Sequence, residues 1–230
     1  MIDDKKRLVP RVRFRGFEGV WEQRRLNEVA DRVTRKNSKL QTSRPLTISA
    51  GLGLVDQRDY FNKIVASKNL TNYILLLRGE FAYNKSYSKG YPFGTVKRLE
   101  NYESGAVSTL YITFKSILAD PQFLAQYYET SSWHREISKV AAEGARNHGL
   151  LNISPVDFMS TSFELPSNKD EQKRIGDTLF KLDNLIVASE RRVNELKAVK
   201  NLVVEKIFSV KWRFKGFSDP WEQRKLGYIN

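Results

Sequence analysis

The chain has no cysteine among its 230 residues. That absence removes disulfides, thiolate zinc sites and thiol nucleophiles together, and it fits a reducing compartment, so a cytoplasmic protein is expected. Histidine is nearly absent too. With only His134 and His148, a metal site would have to lean on carboxylates, and none show ligand spacing. No apolar run approaches the ~18 residues that a membrane span needs, and the opening Met1-Ile2-Asp3-Asp4-Lys5-Lys6 lacks the apolar core of a signal peptide. A soluble, unprocessed protein with no membrane contact is expected.

Catalytic patterns are missing as well. Gly51-Leu52-Gly53 begins like a dinucleotide fingerprint, but Asp56 stands where the third glycine belongs. Glu171-Gln172-Lys173 imitates the end of a nuclease motif. It falls, however, in the first turn of a predicted helix, where neighbouring side chains point to different faces. No Ser/His/Asp arrangement has a supporting context. The sequence offers no catalytic residues and points to no cofactor or metal.

What is abundant is positive charge: 39 Lys and Arg against 26 Asp and Glu give +13. Such an excess attracts polyanions by releasing counterions from phosphates, which makes nucleic acid the leading partner class. The charge is uneven. Residues 1–46 hold 13 basic and 6 acidic residues, whereas residues 47–165 hold 12 and 11. A nucleic-acid contact in the central region therefore needs local clustering.

The two ends of the chain repeat each other. Arg13-Phe14-Arg15-Gly16-Phe17-Glu18-Gly19-Val20-Trp21-Glu22-Gln23-Arg24-Arg25-Leu26 aligns without gaps to Arg213-Phe214-Lys215-Gly216-Phe217-Ser218-Asp219-Pro220-Trp221-Glu222-Gln223-Arg224-Lys225-Leu226, with nine of fourteen positions identical at an offset of 200. A period this long means that the repeated unit is a whole domain with its connector.

Between the repeats, short β-rich runs alternate with Gly, Asn, Asp and Ser. The strand candidates are Pro45–Ser49, Tyr73–Leu77, Phe81–Asn84, Gly94–Leu99, Ala106–Phe114 and Met159–Leu165. Asp120-Pro121 can cap and open a helix with Phe123, Leu124, Tyr127 and Tyr128 on one face, and a second helix past Trp133 to Ala142 can follow. After Pro166, Ser167 or Asn168 can cap a pattern that runs to about Phe208 without a proline. Ile175, Leu179, Leu182, Ile186, Ser189, Val193, Leu196, Lys200, Val203 and Ile207 step by 4 and 3 throughout, the seam of a coiled coil. A helix of this length spans ~60 Å. Its seam needs another helix of similar length; packing onto its own domain is the alternative. The expected fold is α+β: a mixed recognition domain over residues 1–165, opening with segment 1–30, then a long helix over 166–208 and the start of a second unit over 209–230.

The local clustering that the charge demands lies in Phe81–Leu99, which holds four basic residues, five aromatics and no acid. Asn84, Lys85, Ser86, Tyr87, Ser88, Lys89 and Tyr91 can offer phosphate donors, base-edge partners and aromatic faces, with Lys97 and Arg98 just beyond. A surface turn with incidental lysines is the alternative. In the polar loop Glu143–Gly149, Arg146 could fork onto guanine, Asn147 onto adenine, and His148 stands beside them.

Together these motifs resemble the specificity subunit of type I restriction–modification enzymes. The resemblance covers nearly the whole chain. It rests on the repeated Arg-Phe-x-Gly-Phe-x-x-x-Trp-Glu-Gln-Arg-x-Leu opening, the Phe81–Tyr91 stretch, Gly149-Leu150-Leu151-Asn152-Ile153-Ser154 ahead of Phe163-Glu164-Leu165-Pro166, and Glu171-Gln172-Lys173-Arg174-Ile175 opening the long helix. It implies a non-catalytic subunit that binds double-stranded DNA and docks adenine methyltransferase subunits, with restriction or translocase subunits as further partners. Members of that family carry two recognition domains and two antiparallel helices. This sequence departs from that pattern with one of each, so it looks like a half subunit. A second copy is then expected to pair antiparallel through the seam, and two-fold symmetry implies an interrupted palindrome as target. The competing readings are a coiled-coil adaptor without DNA readout and an independent nuclease.

Overall fold

Side-chain alternation along Phe81–Asn84 decides how the first part of the protein is built. The structure, a computed structural model, describes residues 8–61, 69–88, 90–141, 151–225 and 227. It divides into two compact units, Met1–Phe180 and Lys181–Asn230. The first holds strands β1 (Trp21–Arg25), β2 (Ala30–Arg32), β3 (Leu46–Ser49), β4 (Gly53–Asp56), β5 (Ile74–Leu77), β6 (Phe81–Asn84), β7 (Thr95–Arg98), β8 (Ser104–Val107), β9 (Ile112–Ser116) and β10 (Ser162–Pro166). Its helices are α1 (Leu26–Val29), α2 (Gln57–Phe61), α3 (Pro121–Glu129), α4 (His134–Val140) and α5 (Pro155–Met159), and the long α6 (Lys169–Phe208) begins there. The fold is α+β, as expected.

A four-stranded antiparallel sheet, ordered β2-β9-β6-β7, forms the centre. Successive strand residues point to opposite faces. Phe81 and Tyr83 therefore join Ile112, Phe114 and Val96 in a core beneath α3, α4 and α5, while Ala82 faces a second core of Val33, Leu46, Leu54, Ile74, Leu76, Leu99 and Val107. Phe81 pairs with Phe114 across β6 and β9, and their rings stack at 4.9 Å. Burying each such ring is worth ~1.5–3 kcal/mol. Because both faces of β6 are covered, Phe81–Asn84 reads as an apolar run that sequence finds.

Two strand assignments need correcting. Ala106–Phe114 is not one strand: β8 ends at Val107 and β9 starts at Ile112, with the Tyr111 N–H donating to the Ser108 carbonyl at 3.1 Å to close a turn. Met159 belongs to α5, whose N-terminus is capped by the Ser154 hydroxyl accepting from the Asp157 N–H at 3.1 Å; β10 starts at Ser162. The helix after Asp120 forms as expected, its Oδ1 accepting from the N–H groups of Gln122 and Phe123 at 2.8 and 2.9 Å. The following helix ends at Val140.

The start of α6 is bound to the first unit by polar residues. Asn168 Oδ1 caps it, accepting from the Asp170 and Glu171 N–H groups at 2.7 and 3.3 Å. Arg13 donates from Nε and Nη2 to the two carboxylate oxygens of Glu171, each at 2.7 Å, and the Glu171 side chain is 1% exposed. Gln172 accepts from the Asp120 N–H at 2.8 Å and donates to the Pro166 carbonyl at 2.7 Å. At Gly176 a Cβ would lie 2.6 Å from the Phe123 nitrogen. This glycine lets α6 pass against the first turn of α3, where any side chain would push the two apart.

In the second unit the helix runs on to Phe208. Leu182, Ile186, Val193 and Leu196 are 48–56% exposed there. The N–H groups of Lys211 and Trp212 donate to the Lys206 carbonyl at 3.0 Å and close the helix end, with Val210 at φ 62°. No helix among the described residues is long and apolar enough to cross a membrane.

Candidate nucleic-acid interface

The basic aromatic stretch singled out by sequence forms the long connection between β6 and β7, and the structure pins both of its ends. At the first end Asn84 Oδ1 accepts from the N–H and hydroxyl of Ser86 at 3.1 and 2.8 Å. Lys85 is held twice: its carbonyl accepts from the Leu151 N–H at 3.0 Å, and its Nζ donates to the Ile153 carbonyl at 3.1 Å. At the other end the Tyr83 hydroxyl donates to the Phe93 carbonyl at 2.7 Å. Gly94, at φ +78°, sits where a Cβ would meet the Asn84 carbonyl oxygen at 2.1 Å. Only glycine combines that conformation with that approach.

Between these anchors the tip presents its side chains to solvent. Tyr87 is 49% and Tyr91 40% exposed, and Ser88 is exposed as well. Reciprocal backbone hydrogen bonds between Ser88 and Tyr91, at 3.3 and 2.9 Å, tighten the turn they flank. Phe93 packs on His134 at 5.1 Å, and burial lowers the His134 pKa.

The tip does not stand alone. A polar cleft of about 270 Å³ runs between it and the β3–β4 hairpin, lined by Asn84, Ser86, Ser88, Tyr91 and Thr95 on one side and by Ile48, Ser49, Ala50 and Tyr60 on the other. Tyr60 is half exposed and packs edge-on against Phe61 at 4.8 Å. Sequence reasoning missed Ser49 and Tyr60. The available signal was Gly51-Leu52-Gly53, which between two β-rich runs marks a hairpin. Nearby, Asp56 bonds Arg58 at 2.5 and 2.9 Å, and that hydrogen bonding holds its carboxyl below the usual range.

Lys97 and Arg98 are placed differently. Lys97 Nζ bonds both carboxylate oxygens of Glu129, at 2.6 and 2.7 Å, and its side chain is 11% exposed. Arg98 is 14% exposed and donates to Glu100 and, at 2.5 Å, to Gln122. Both cations are spent on joining β7 to α3. Lys89, Arg146, Asn147 and His148 lie outside the described residues. Among the described residues, no group of three or more His, Asp or Glu side chains is arranged to hold a metal ion.

Along the predicted seam, Ile175 is partly buried against the larger core of the first unit and Leu179 is 41% exposed. In the second unit Leu182, Ile186, Ser189 and Val193 line one shallow groove with Leu185, Glu190, Asn194 and Lys197. Lys200 is exposed, and Val203 and Ile207 are half-buried.

No protein-family model matches the chain, and no curated protein matches it. Solved structures do. The chain is similar to the HsdS subunit from Thermoanaerobacter tengcongensis, with TM-score 0.57 and 16% identity over 87% of this chain and 51% of that one. A structure of a type I restriction–modification system, solved for its complex assembly and conformational transition, matches with TM-score 0.54 at the same identity and coverage. The type I restriction–modification S subunit from M. genitalium matches with TM-score 0.52 and 16% identity, covering 87% of this chain and 49% of that one. The chain spans about half the length of each of these relatives, and over that half it has the fold of type I restriction–modification S subunits.

Proposed function

We propose that the chain is a non-catalytic DNA-recognition subunit of a type I restriction–modification methyltransferase, working as an antiparallel homodimer. The observation that carries this reading is the S-subunit fold, joined to a helix whose aliphatic seam is exposed. An exposed row of Leu, Ile and Val over several turns is costly in water, and a second copy of the same helix covers it. Two-fold symmetry then gives two identical readers, held apart by helices ~60 Å long.

The reading surface is the β6–β7 tip and its cleft. Tyr87, Ser88, Lys89 and Tyr91 approach the duplex, with Asn84, Ser86, Ser49 and Tyr60 behind them. Hydroxyl and carboxamide groups match base edges, and Lys89 meets phosphate. Arg146, Asn147 and His148 complete the interface. Lys85, Lys97 and Arg98 have internal partners, and their work is to hold the tip in shape. Methyl transfer to adenine belongs to the partner methyltransferase, and restriction or translocation to further subunits.

The test is DNA binding by the chain assembled with its methyltransferase subunit. A defined sequence preference is expected, with Tyr91→Ala relaxing it at one base position and Lys89→Ala weakening all sites alike with a shallower salt slope. Indifference to DNA at every salt concentration would instead favour a coiled-coil adaptor, and metal-dependent cleavage by the purified chain would favour a nuclease.

A further inference from the structure

The two copies of the repeated segment share one turn but differ in what covers them. Gly16 and Gly216 sit at φ +95° and +98°, and the N–H groups of Phe17 and Phe217 donate to the carbonyls of Phe14 and Phe214 at 3.4 and 3.3 Å. Arg24 pairs with Glu22 at 2.7 Å, and Arg224 with Glu222 at 2.6 Å. The first copy is docked. Arg13 grips the buried Glu171, the Arg174 guanidinium lies 5.0 Å over the Phe14 ring, Trp21 packs edge-on against Phe123, and Trp21–Arg25 pairs antiparallel with Ser162–Pro166. The second copy carries the same Arg, Phe, Trp and Glu-Gln-Arg. Its Phe214, Phe217 and Trp221 are nevertheless 71, 69 and 46% exposed.

A segment that carries the docking residues and shares the turn before them has the chemistry of a ligand for the same site. We infer that Arg213–Lys225 is a second occupant of the site made by Glu171, Arg174 and the β10 edge, and that it occupies this site on a second chain in exchange for that chain's Arg13–Arg25. This rests on the antiparallel homodimer. From Glu171 to Phe208 the helix rises ~55 Å at 1.5 Å per residue. The five residues from Phe208 to Arg213 reach back no more than ~18 Å, too little to return to their own Glu171. In an antiparallel pair the end of one helix meets the start of the other. The first copy is the stronger ligand, because Gly19 turns at φ +87° and its carbonyl accepts from Arg13 at 2.5 Å, where the second copy has Asp219 followed by Pro220. A side chain at such a φ is strained.

The chain has no native cysteine to interfere with cross-linking. Gln23 faces Glu164 across β1 and β10, and both are exposed. In the full chain, Gln23→Cys with Glu164→Cys closes a disulfide within one chain and reports a folded site. Glu164→Cys with Gln223→Cys is expected to give an interchain disulfide on a non-reducing gel. Its yield should rise several-fold with Arg13→Ala and be lost with Arg213→Ala or Phe214→Ala. If the first pair closes while the second stays reduced even with Arg13→Ala, or closes only within one chain, the exchange is wrong. Sedimentation of the unsubstituted chain separates this from the reading it rests on: a dimer whose 164/223 variant stays unlinked removes the exchange alone, and a monomer removes both.

Discussion

The two parts of the long helix invert each other's chemistry. Its first turns bury a carboxylate, a carboxamide and a glycine, Glu171, Gln172 and Gly176, while further along Leu182, Ile186, Val193 and Leu196 stand about half exposed. The difference teaches what each part is for. A buried charge is tolerated only with a hydrogen-bonded partner, and Arg13 supplies one, so the start of the helix is fixed in one orientation. Exposed aliphatic residues at seam spacing are unfinished packing, which the proposed second helix would finish.

Substitutions can break this comparison at either end. The largest effect is expected in the seam: Leu182→Asp or Val193→Asp should convert the proposed dimer to monomer, seen by sedimentation, because the charge must be desolvated or the pairing given up. The melting temperature of the first unit should not change. At the other end, Gly176→Val should leave pairing intact and destabilise the first unit by about 1–3 kcal/mol or more through overpacking against Phe123. Thermal unfolding checks it, with a fall of several degrees expected. An unchanged melt would remove the close helix crossing from the account.

The proposed recognition surface makes a second, smaller contrast. Lys89→Ala should weaken DNA binding by the assembled complex about tenfold and flatten its salt dependence. Lys97→Ala should leave DNA binding unchanged, since Lys97 is committed to Glu129. Equal losses would mean that Lys97 is available to phosphate after all. The smallest effect is expected at the helix end. Val210 holds φ 62°, where a β-branched residue is strained, so Val210→Gly should stabilise the last turn by roughly 1 kcal/mol, measured as slower amide exchange at Lys211 and Trp212.

Local chemistry was legible in the sequence, and long-range pairing was not. Phe81–Asn84, the Asp120 cap and the helix to Phe208 were readable because apolar runs, capping residues and a 4,3 spacing each act over a few residues. β1 was not readable: Trp-Glu-Gln-Arg-Arg has little strand propensity, and it becomes a strand only because β10 lies beside it. The burial of Glu171 was likewise not readable, since its partner Arg13 is 158 positions away. At the candidate interface, sequence singled out the charged and aromatic loop but could not show that Lys85, Lys97 and Arg98 have internal partners. That distinction depends on Glu129, Gln122 and the Ile153 carbonyl, all distant in sequence. The cleft wall supplied by Ser49 and Tyr60 was missed for the same reason.

The most direct test is methylome sequencing of cells that express this chain with the proposed partner methyltransferase and no other specificity subunit. One gapped adenine motif is predicted, its two halves inverted copies of each other, because two identical chains read it. A motif with two unrelated halves would contradict the homodimer, and methylation without any defined motif would contradict recognition by this chain.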